Sequence, residues 1–231
     1  AFNSPQRGGG YAVWMMYRNR ISKKWELAAR FDTIHRYGIT DRSIGGGALL
    51  HMNKSVLRFE MAKSGRGGLL PDTTYELEYV TPLTKTLVGY IGARRTEYSA
   101  DGATNLLTYL AAEYYIAGNN MIFARISRSH STYSTGASNT QPTAVVHFTH
   151  YINDFDKVSV FVGNASESVL RNYDNVVNTA RGITYGASYR HRLGAQSPWL
   201  IEIGIEQSHV KYPSRKVTDR AVRLSLTRLI K

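Results

Sequence analysis

Apolar and polar residues alternate along most of this chain, most clearly within residues 199–206. In that segment the odd positions are Trp199, Ile201, Ile203 and Ile205, and the even positions from 202 onward are Glu202, Gly204 and Glu206. Successive side chains of a β-strand point to opposite faces of its sheet, so a period of two predicts a strand. Such a strand has one apolar face and one polar face.

The same period recurs from residue 23 to the end of the chain and predicts twelve strands. These are 23–34, 43–52, 55–63, 73–81, 85–98, 104–116, 120–130, 142–152, 157–166, 181–193, 199–210 and 220–230. Tight links rich in Asn, Asp, Gly and Pro lie at 53–54, 81–84, 117–119, 153–156 and 194–198. Longer links are predicted at 35–42, 64–72, 99–103, 131–141, 167–180 and 211–219, so short and long links alternate strictly.

An even number of antiparallel strands with short links at one end and long links at the other is typical of bacterial outer-membrane barrels. In a water-soluble sandwich a second sheet would have to cover each apolar face. In a membrane barrel the apolar face contacts lipid, and the polar face lines a lumen. The predicted fold class is therefore all-β, a transmembrane antiparallel up-and-down β-barrel of about twelve strands over residues 23–231.

Residues 1–22 do not fit this scheme. The segment 11–18 follows three glycines, and adding it to the wall would give thirteen strands. We interpret residues 1–22 as an N-terminal tail or linker, either periplasmic or luminal, because chain termini are commonly loose unless something holds them. The alternative is a plug or an additional strand lying against the lumen.

Composition agrees with a barrel and excludes a helical membrane protein. Mean hydropathy is −0.32, and no run approaches the eighteen apolar residues of a spanning helix. There are no cysteines. The net charge of +12 suggests anionic partners, but the basic residues are scattered among strands instead of clustering in a nucleic-acid-binding module. We therefore expect no nucleic-acid partner.

Several segments resemble the YaiO-type outer-membrane barrels. They are 27–34 (Leu-Ala-Ala-Arg-Phe-Asp-Thr-Ile), 38–43 (Gly-Ile-Thr-Asp-Arg-Ser), 47–66, 199–206, Tyr212-Pro213, Thr218-Asp219-Arg220 and 224–229. The chain departs from the pattern of such barrels at its end, Leu229-Ile230-Lys231, where they usually carry a terminal aromatic residue. The resemblance implies a role at the outer membrane in connection with exopolysaccharide export.

Charged side chains of both signs fall on the predicted polar face. The predicted lumen-lining residues are Glu26, Arg30, Asp32, Arg58, Glu60, Glu76, Glu78, Arg94, Arg125, Arg190, Glu202, Glu206 and Arg223. One interpretation is that Arg and Glu pair across neighbouring strands and neutralise each other, since charges in confined sites are usually partnered. The other is that they line a selective passage for a polar solute.

Catalytic and metal-binding candidates are few. Residues 127–131 (Ser-Arg-Ser-His-Ser) are the best local serine and histidine arrangement, but adjacency in sequence supplies neither the geometry nor a third residue to orient the histidine. His147 and His150 fall on opposite faces of a predicted strand, which argues against a shared metal. We therefore predict no catalytic residues, no metal and no cofactor.

The link 211–220 is strongly basic and is predicted to face the outside. Its candidate anion-binding residues are Lys211, Arg215, Lys216 and Arg220, and the partners expected there are lipopolysaccharide, other outer-membrane lipid or acidic polysaccharide. An equally plain interpretation is a solvated loop that its charges keep out of the membrane.

Taken together, the sequence predicts a non-enzymatic barrel in a bacterial outer membrane. It would serve as a pore or as a component of an envelope complex for passage of a polar solute or exopolysaccharide, with polysaccharide or a periplasmic scaffold protein as a further partner. The alternatives are an outer-membrane lipid-modifying enzyme and a structural or receptor barrel whose lumen is plugged by its own charges.

Overall fold

The computed structural model describes residues 11–36, 39–65, 70–98, 102–164, 181–194, 197–211 and 216–228. These residues form thirteen strands. They are β1 (Tyr11–Arg20), β2 (Trp25–Arg36), β3 (Ile39–Met52), β4 (Ser55–Ser64), β5 (Thr73–Pro82), β6 (Leu87–Tyr98), β7 (Ala103–Ile116), β8 (Asn120–Thr132), β9 (Ser138–Tyr151), β10 (Lys157–Asn164), β11 (Arg181–Arg192), β12 (Trp199–Lys211) and β13 (Lys216–Arg228).

The strands follow one another in a single sheet in the order β1 to β13. The registered ladders are antiparallel, as between β11 and β12 and between β12 and β13. The predicted all-β, up-and-down antiparallel architecture is therefore confirmed. No ladder between β13 and β1 occurs among the described residues. Within the same residues no helix is long and apolar enough to cross a membrane.

The first strand is the main difference from the predicted element order. Tyr11–Arg20, which we interpreted as part of a tail or linker, pairs with β2 over ten residues, from Tyr11↔His35 to Arg20↔Glu26. The link to β2 is tight, and the backbone N–H groups of Lys24 and Trp25 both donate to the Ser22 hydroxyl. Three apolar residues follow one another at Trp14-Met15-Met16, so apolar and polar residues do not alternate there. The alternation pattern therefore does not predict a strand in this segment.

Several strands are longer than predicted. β3 begins at Ile39 instead of 43 and β9 at Ser138 instead of 142, because the ladders continue through polar residues such as the His35↔Thr40 pair. The links between β2 and β3 and between β8 and β9 shrink to 37–38 and 133–137, while 65–72 and 165–180 remain long. The predicted strict alternation of short and long links is therefore wrong.

We name the two ends of the strands by their links. The turn end carries the links 21–24, 53–54, 83–86, 117–119, 152–156 and 193–198, and the loop end carries 37–38, 65–72, 99–102, 133–137, 165–180 and 212–215. Left-handed backbone conformations at Asn53 (φ 44°) and Asn119 (φ 64°) fit the tight geometry of the turn end.

The two faces of the sheet differ in the way the alternation predicts. In β10, Val158, Val160 and Val162 are 40%, 46% and 51% exposed, whereas the alternate residues Lys157, Ser159 and Phe161 are half-buried. We call the face with exposed aliphatic side chains the apolar face and the opposite one the polar face. Exposed apolar and buried polar side chains reverse the usual arrangement of a water-soluble protein.

The chain divides into two compact units. The first contains residues 1–81, 90–109 and 128–140, and the second contains 82–89, 110–127 and 141–231. Each unit has its own set of charged residues on the polar face, and each is described below by itself.

A hydrogen-bonded turn network holds the turn end of the second unit. Asn153 Oδ1 accepts from the backbone N–H groups of Phe155 and Asp156, both at 2.9 Å. Asp156 Oδ1 accepts from the backbone N–H of Arg192 at 2.8 Å, and Asp156 Oδ2 pairs with His191 Nδ1 at 3.1 Å. The Arg192 backbone N–H, assisted by Asn153 and His191, lowers the pKa of Asp156 below its usual range. The network ties the 152–156 link to the end of β11.

Candidate functional site

All thirteen predicted lumen-lining residues are buried or half-buried. Most of their strand neighbours on the opposite face, among them Leu27, Phe59, Leu77 and Ile203, are exposed. The charged side chains therefore share the polar face, as their alternation with aliphatic residues predicted. Contacts among them bring two groups together, one in each unit.

The acidic cluster lies in the first unit and consists of Arg58, Glu60, Glu76, Glu78 and Tyr109. The register of β4 and β5 places Arg58 opposite Glu78 and Glu60 opposite Glu76. Like charges directly opposite each other on neighbouring strands are destabilising. The Glu60↔Glu76 pair therefore needs compensation from other groups.

Arg58 supplies much of that compensation. Its Nη2 lies 3.0 Å from Glu78 Oε1 and 3.2 Å from Glu76 Oε1, and its Nε lies 3.5 Å from Glu60 Oε1. The side chain of Arg58 is 11% exposed and that of Glu78 is 8% exposed. One guanidinium thus contacts three carboxylates in a poorly hydrated position, where charge-assisted hydrogen bonds are strong.

Tyr109 on β7 closes the acidic cluster. Its hydroxyl lies 2.9 Å from Glu76 Oε1 and 2.8 Å from Glu78 Oε2. The ring lies against Gly92 of β6, where an added Cβ would overlap the ring carbons. Glycine at this strand position therefore makes the space that lets the tyrosine reach both carboxylates.

The basic cluster lies in the second unit and consists of Lys157, Arg190, Glu202 and Arg223. Arg190 contacts Glu202 Oε2 from its Nε at 2.9 Å and from an Nη at 2.7 Å. Arg223 Nη2 donates to the other carboxylate oxygen, Glu202 Oε1. The predicted pairing of Arg and Glu on neighbouring strands is thus present at Glu202.

Lys157 adds a third positive charge to the basic cluster. The register places Lys157 opposite Arg190, and Arg190 opposite Glu202. Lys157 interacts electrostatically with both, and also with Arg223. The side chains of Arg190 and Arg223 are 38% and 34% exposed, whereas that of Glu202 is 11% exposed. The carboxylate is shielded and the guanidinium groups are partly free to meet water or a ligand.

The remaining charged residues of the polar face make smaller arrangements. Arg30 Nε contacts Asp32 Oδ1 at 2.9 Å, and the Ser43 hydroxyl donates to Asp32 Oδ2 at 2.9 Å. Glu26 lies 3.7 Å from His51 Nε2. Arg94, Arg125 and Glu206 are half-buried on the same face.

The predicted anion-binding link lies largely outside the described residues. Residues 212–215, with Arg215, are not described, and neither are the side chains of Lys211 and Lys216. Arg220 is described and exposed, and its Nε donates to Gln207 Oε1 at 3.1 Å.

The serine and histidine candidates of β8 lie on opposite faces. The Ser127 hydroxyl is buried and bonds the Thr143 hydroxyl, and Ser129 bonds Asn105. His130 is exposed, and its Nδ1 lies 2.8 Å from Thr140 Oγ1. His147 packs between Phe123 and Phe161 at ring distances of 5.6 and 5.3 Å.

His150 lies on the face opposite His147 and bonds Asn120 at 2.9 Å. No group of three metal-ligating side chains occurs among the described residues.

Two residues of the clusters were missed by the sequence reasoning. Tyr109 resembles any apolar residue in an alternating pattern, and only the glycine at position 92 could have indicated a ring packed against the neighbouring strand. Lys157 stands at the first position of β10, next to a predicted turn, where a charged residue is ordinary.

Comparison with known proteins gives a fold and no family. No family model matches the chain, and no curated protein matches it in sequence. Among solved structures, it is similar to a "Bacterial polysaccharide outer membrane secretin" with a TM-score of 0.54 and 11% identity, covering 94% of this chain and 77% of that one. It also matches Acinetobacter baumannii OccAB3 with a TM-score of 0.47 and 9% identity, covering 91% of this chain and 66% of that one. The likeness to the secretin shows that the chain has the fold of an outer-membrane β-barrel.

Proposed function

We propose that this chain is a non-enzymatic barrel of a Gram-negative outer membrane through which a polar solute or an exopolysaccharide passes. The observation that carries the proposal is the division between an exposed apolar face and a polar face with two charged clusters. A membrane barrel uses such faces for lipid contact and for a hydrated interior. The thirteen charged residues of the polar face would then line the lumen.

The secretin of similar fold is named for polysaccharide, and the sequence resembles the YaiO-type barrels. Both favour an exopolysaccharide among the possible solutes. A porin-like passage for smaller polar solutes uses the same wall and differs in how wide the passage is.

Planar-bilayer conductance tests this proposal. The purified chain should give discrete conductance steps, and liposomes containing it should swell in glucose or maltotriose. Replacing Arg190 and Arg223 together with Gln should shift the reversal potential in a KCl gradient toward cation selectivity. The matched control Lys85→Gln, an exposed lysine of the 83–86 link, should leave it unchanged. Folded protein that neither conducts nor admits sugars would contradict a passage.

A structural or receptor barrel plugged by its own charges is the second candidate. The contacts of Arg58 with three carboxylates of β4 and β5 favour it, because charges that pair with one another are not available to a passing solute. In that case the parent would not conduct, and the double variant Arg58→Gln with Glu78→Gln, which leaves the net charge unchanged, would open a conductance. A conducting parent would exclude the plug.

A further inference from the structure

Two hairpins at the loop end carry the same three-residue sequence. Thr40-Asp41-Arg42 lies near the start of β3, in the first unit, and Thr218-Asp219-Arg220 lies near the start of β13, in the second. In each hairpin a histidine of the preceding strand pairs in register with the threonine. The His35 and His209 Nδ1 atoms lie 2.8 and 3.0 Å from the respective threonine Oγ1.

In the second hairpin a chain of hydrogen bonds fixes the arginine. Arg220 can only donate, so its Nε at 3.1 Å requires the oxygen of the Gln207 amide to face it. Gln207 Nε2 then faces His209 Nε2 at 2.7 Å and Tyr185 Oη at 2.9 Å, and it can only donate. His209 Nε2 therefore accepts, and its proton sits on Nδ1, which donates to Thr218. The network holds Arg220 through its Nε, and the Arg220 side chain is exposed.

In the first hairpin the acidic residue accepts hydrogen bonds from backbone N–H groups. Asp41 is buried, and its two oxygens accept from the backbone N–H groups of Arg42 at 2.8 Å and Leu70 at 2.9 Å. Arg42, the next residue, lies on the opposite, exposed face. The carboxylate therefore shapes the link while the guanidinium faces outward.

Exposed aliphatic side chains continue directly from both arginines. Val222 and Leu224 follow Arg220 on the same face and are 79% and 69% exposed, and Ile44 follows Arg42 and is 70% exposed. Alternate residues of a strand are about 6.8 Å apart. Each arginine therefore lies about 6.8 Å along its strand from an exposed aliphatic residue of the same face.

We propose that Arg42 and Arg220, each in its own Thr-Asp-Arg segment and each separately, bind the phosphate-bearing headgroup of an anionic lipid whose acyl chains lie on the adjoining aliphatic side chains. Guanidinium meets phosphate through paired, charge-assisted hydrogen bonds. These aliphatic side chains select a lipid over a dissolved anion, since a soluble phosphate or polysaccharide gains nothing from Val222, Leu224 or Ile44. A phosphorylated glycolipid such as lipid A presents both parts.

The test is lipid binding by the purified full chain in detergent, followed by native mass spectrometry. Diphosphoryl lipid A is titrated against phosphatidylethanolamine, for the parent and for the double variant Arg42→Gln with Arg220→Gln. The matched control is Lys54→Gln with Lys85→Gln, which removes the same charge from two exposed turn-end lysines, one in each unit. Heat-modified mobility on SDS gels confirms that each variant is folded.

We expect the parent to prefer lipid A and the arginine double variant to bind it at least fivefold more weakly, as the loss of charge-assisted contacts implies. The lysine double variant should bind as the parent does. Equal weakening by both variants, or equal affinity for phosphatidylethanolamine, would overturn the proposal. Displacement of lipid A by millimolar inorganic phosphate would also overturn it, because the hairpins would then bind an anion without regard to the acyl chains.

Discussion

The acidic and basic clusters have the same arrangement with opposite charges, because in each a central ion lies among several ions of the opposite sign. In the first unit one guanidinium, Arg58, contacts three carboxylates, and in the second one carboxylate, Glu202, lies among two guanidinium groups and an ammonium. The central ion of each cluster is shielded to the same degree, with 11% of its side chain exposed.

Hydration of the surrounding ions separates the two clusters. The carboxylates around Arg58 are 8–19% exposed, and the arginines around Glu202 are 34–38% exposed. The acidic cluster is therefore chiefly a structural element that would be costly to disturb. The basic cluster keeps its outer arginines partly accessible to water.

The largest expected effect is at Arg58. Arg58→Gln removes the guanidinium that three poorly hydrated carboxylates share, and breaking one partner of a buried ion pair costs about 3–5 kcal/mol. The free energy of unfolding, measured by urea titration in phospholipid vesicles, should fall by that amount. Lys54→Gln, an exposed turn-end control, should change it by less than about 0.5 kcal/mol. A parental urea midpoint for Arg58→Gln would show that the acidic cluster is not structural.

The next effect tests whether both clusters lie on the face away from lipid. Ile203 alternates with Glu202 on β12 and is 49% exposed. Arginine on the lipid face near the bilayer midplane costs about 2–4 kcal/mol. Ile203→Arg should lower the unfolding free energy by that amount, whereas Thr135→Arg in the 133–137 link should be neutral. Equal tolerance at the two positions would reverse the assignment of the faces.

A smaller effect is expected in the basic cluster. Glu202→Gln leaves partly hydrated arginines beside a neutral amide, and we expect a loss of about 1–2 kcal/mol, because exposure weakens the ion pairs. A double-mutant cycle with Arg190→Gln should show positive coupling, with the second change partly rescuing the first. Additive losses would mean that Glu202 and Arg190 act independently. The basic cluster would then lack the coupling between charges that we expect in the acidic cluster.

The smallest effect is on acid stability outside either cluster. Asp156 has a lowered pKa in the folded chain, so its contribution to stability is complete above its unfolded pKa of about 3.9 and is lost as pH falls through the folded pKa. The free energy of unfolding of the parent should therefore rise from acid pH to pH 5, in part because Asp156 ionises. In Asp156→Asn this contribution to the rise should be absent. Unfolding followed over pH 2–5 for the parent and the variant measures it, and identical profiles would show that the turn network does not depend on the charge.

The sequence was sufficient for the architecture because alternation is a local property. The face on which Ile203 or Glu202 lies can be predicted from its immediate neighbours in the sequence. The antiparallel up-and-down sheet follows from this alternation and from the turn residues between the strands. Strand ends were less predictable, because Thr40 extends its ladder by pairing with His35 of the neighbouring strand, and propensity within a single strand does not encode such a pair.

The polar face could be predicted from the sequence, but its two clusters could not. Glu60 and Glu76 face each other only because of the register between β4 and β5, and a shift of one residue would separate them. Tyr109 reaches that pair from a strand further along the sheet, through space left by Gly92. These contacts depend on strand register and on the length of the side chains. The alternation of apolar and polar residues predicts neither.

Tyr109 has one hydroxyl hydrogen for two carboxylate neighbours at almost equal distance. At any instant it donates to Glu76 or to Glu78, and rotation about the bond between the ring and the oxygen exchanges the two states. If they are equal in energy, this degeneracy contributes RT ln 2, about 0.4 kcal/mol, of entropy to the resting cluster. The hydroxyl hydrogen is therefore shared in time between the two carboxylates instead of being held by one of them.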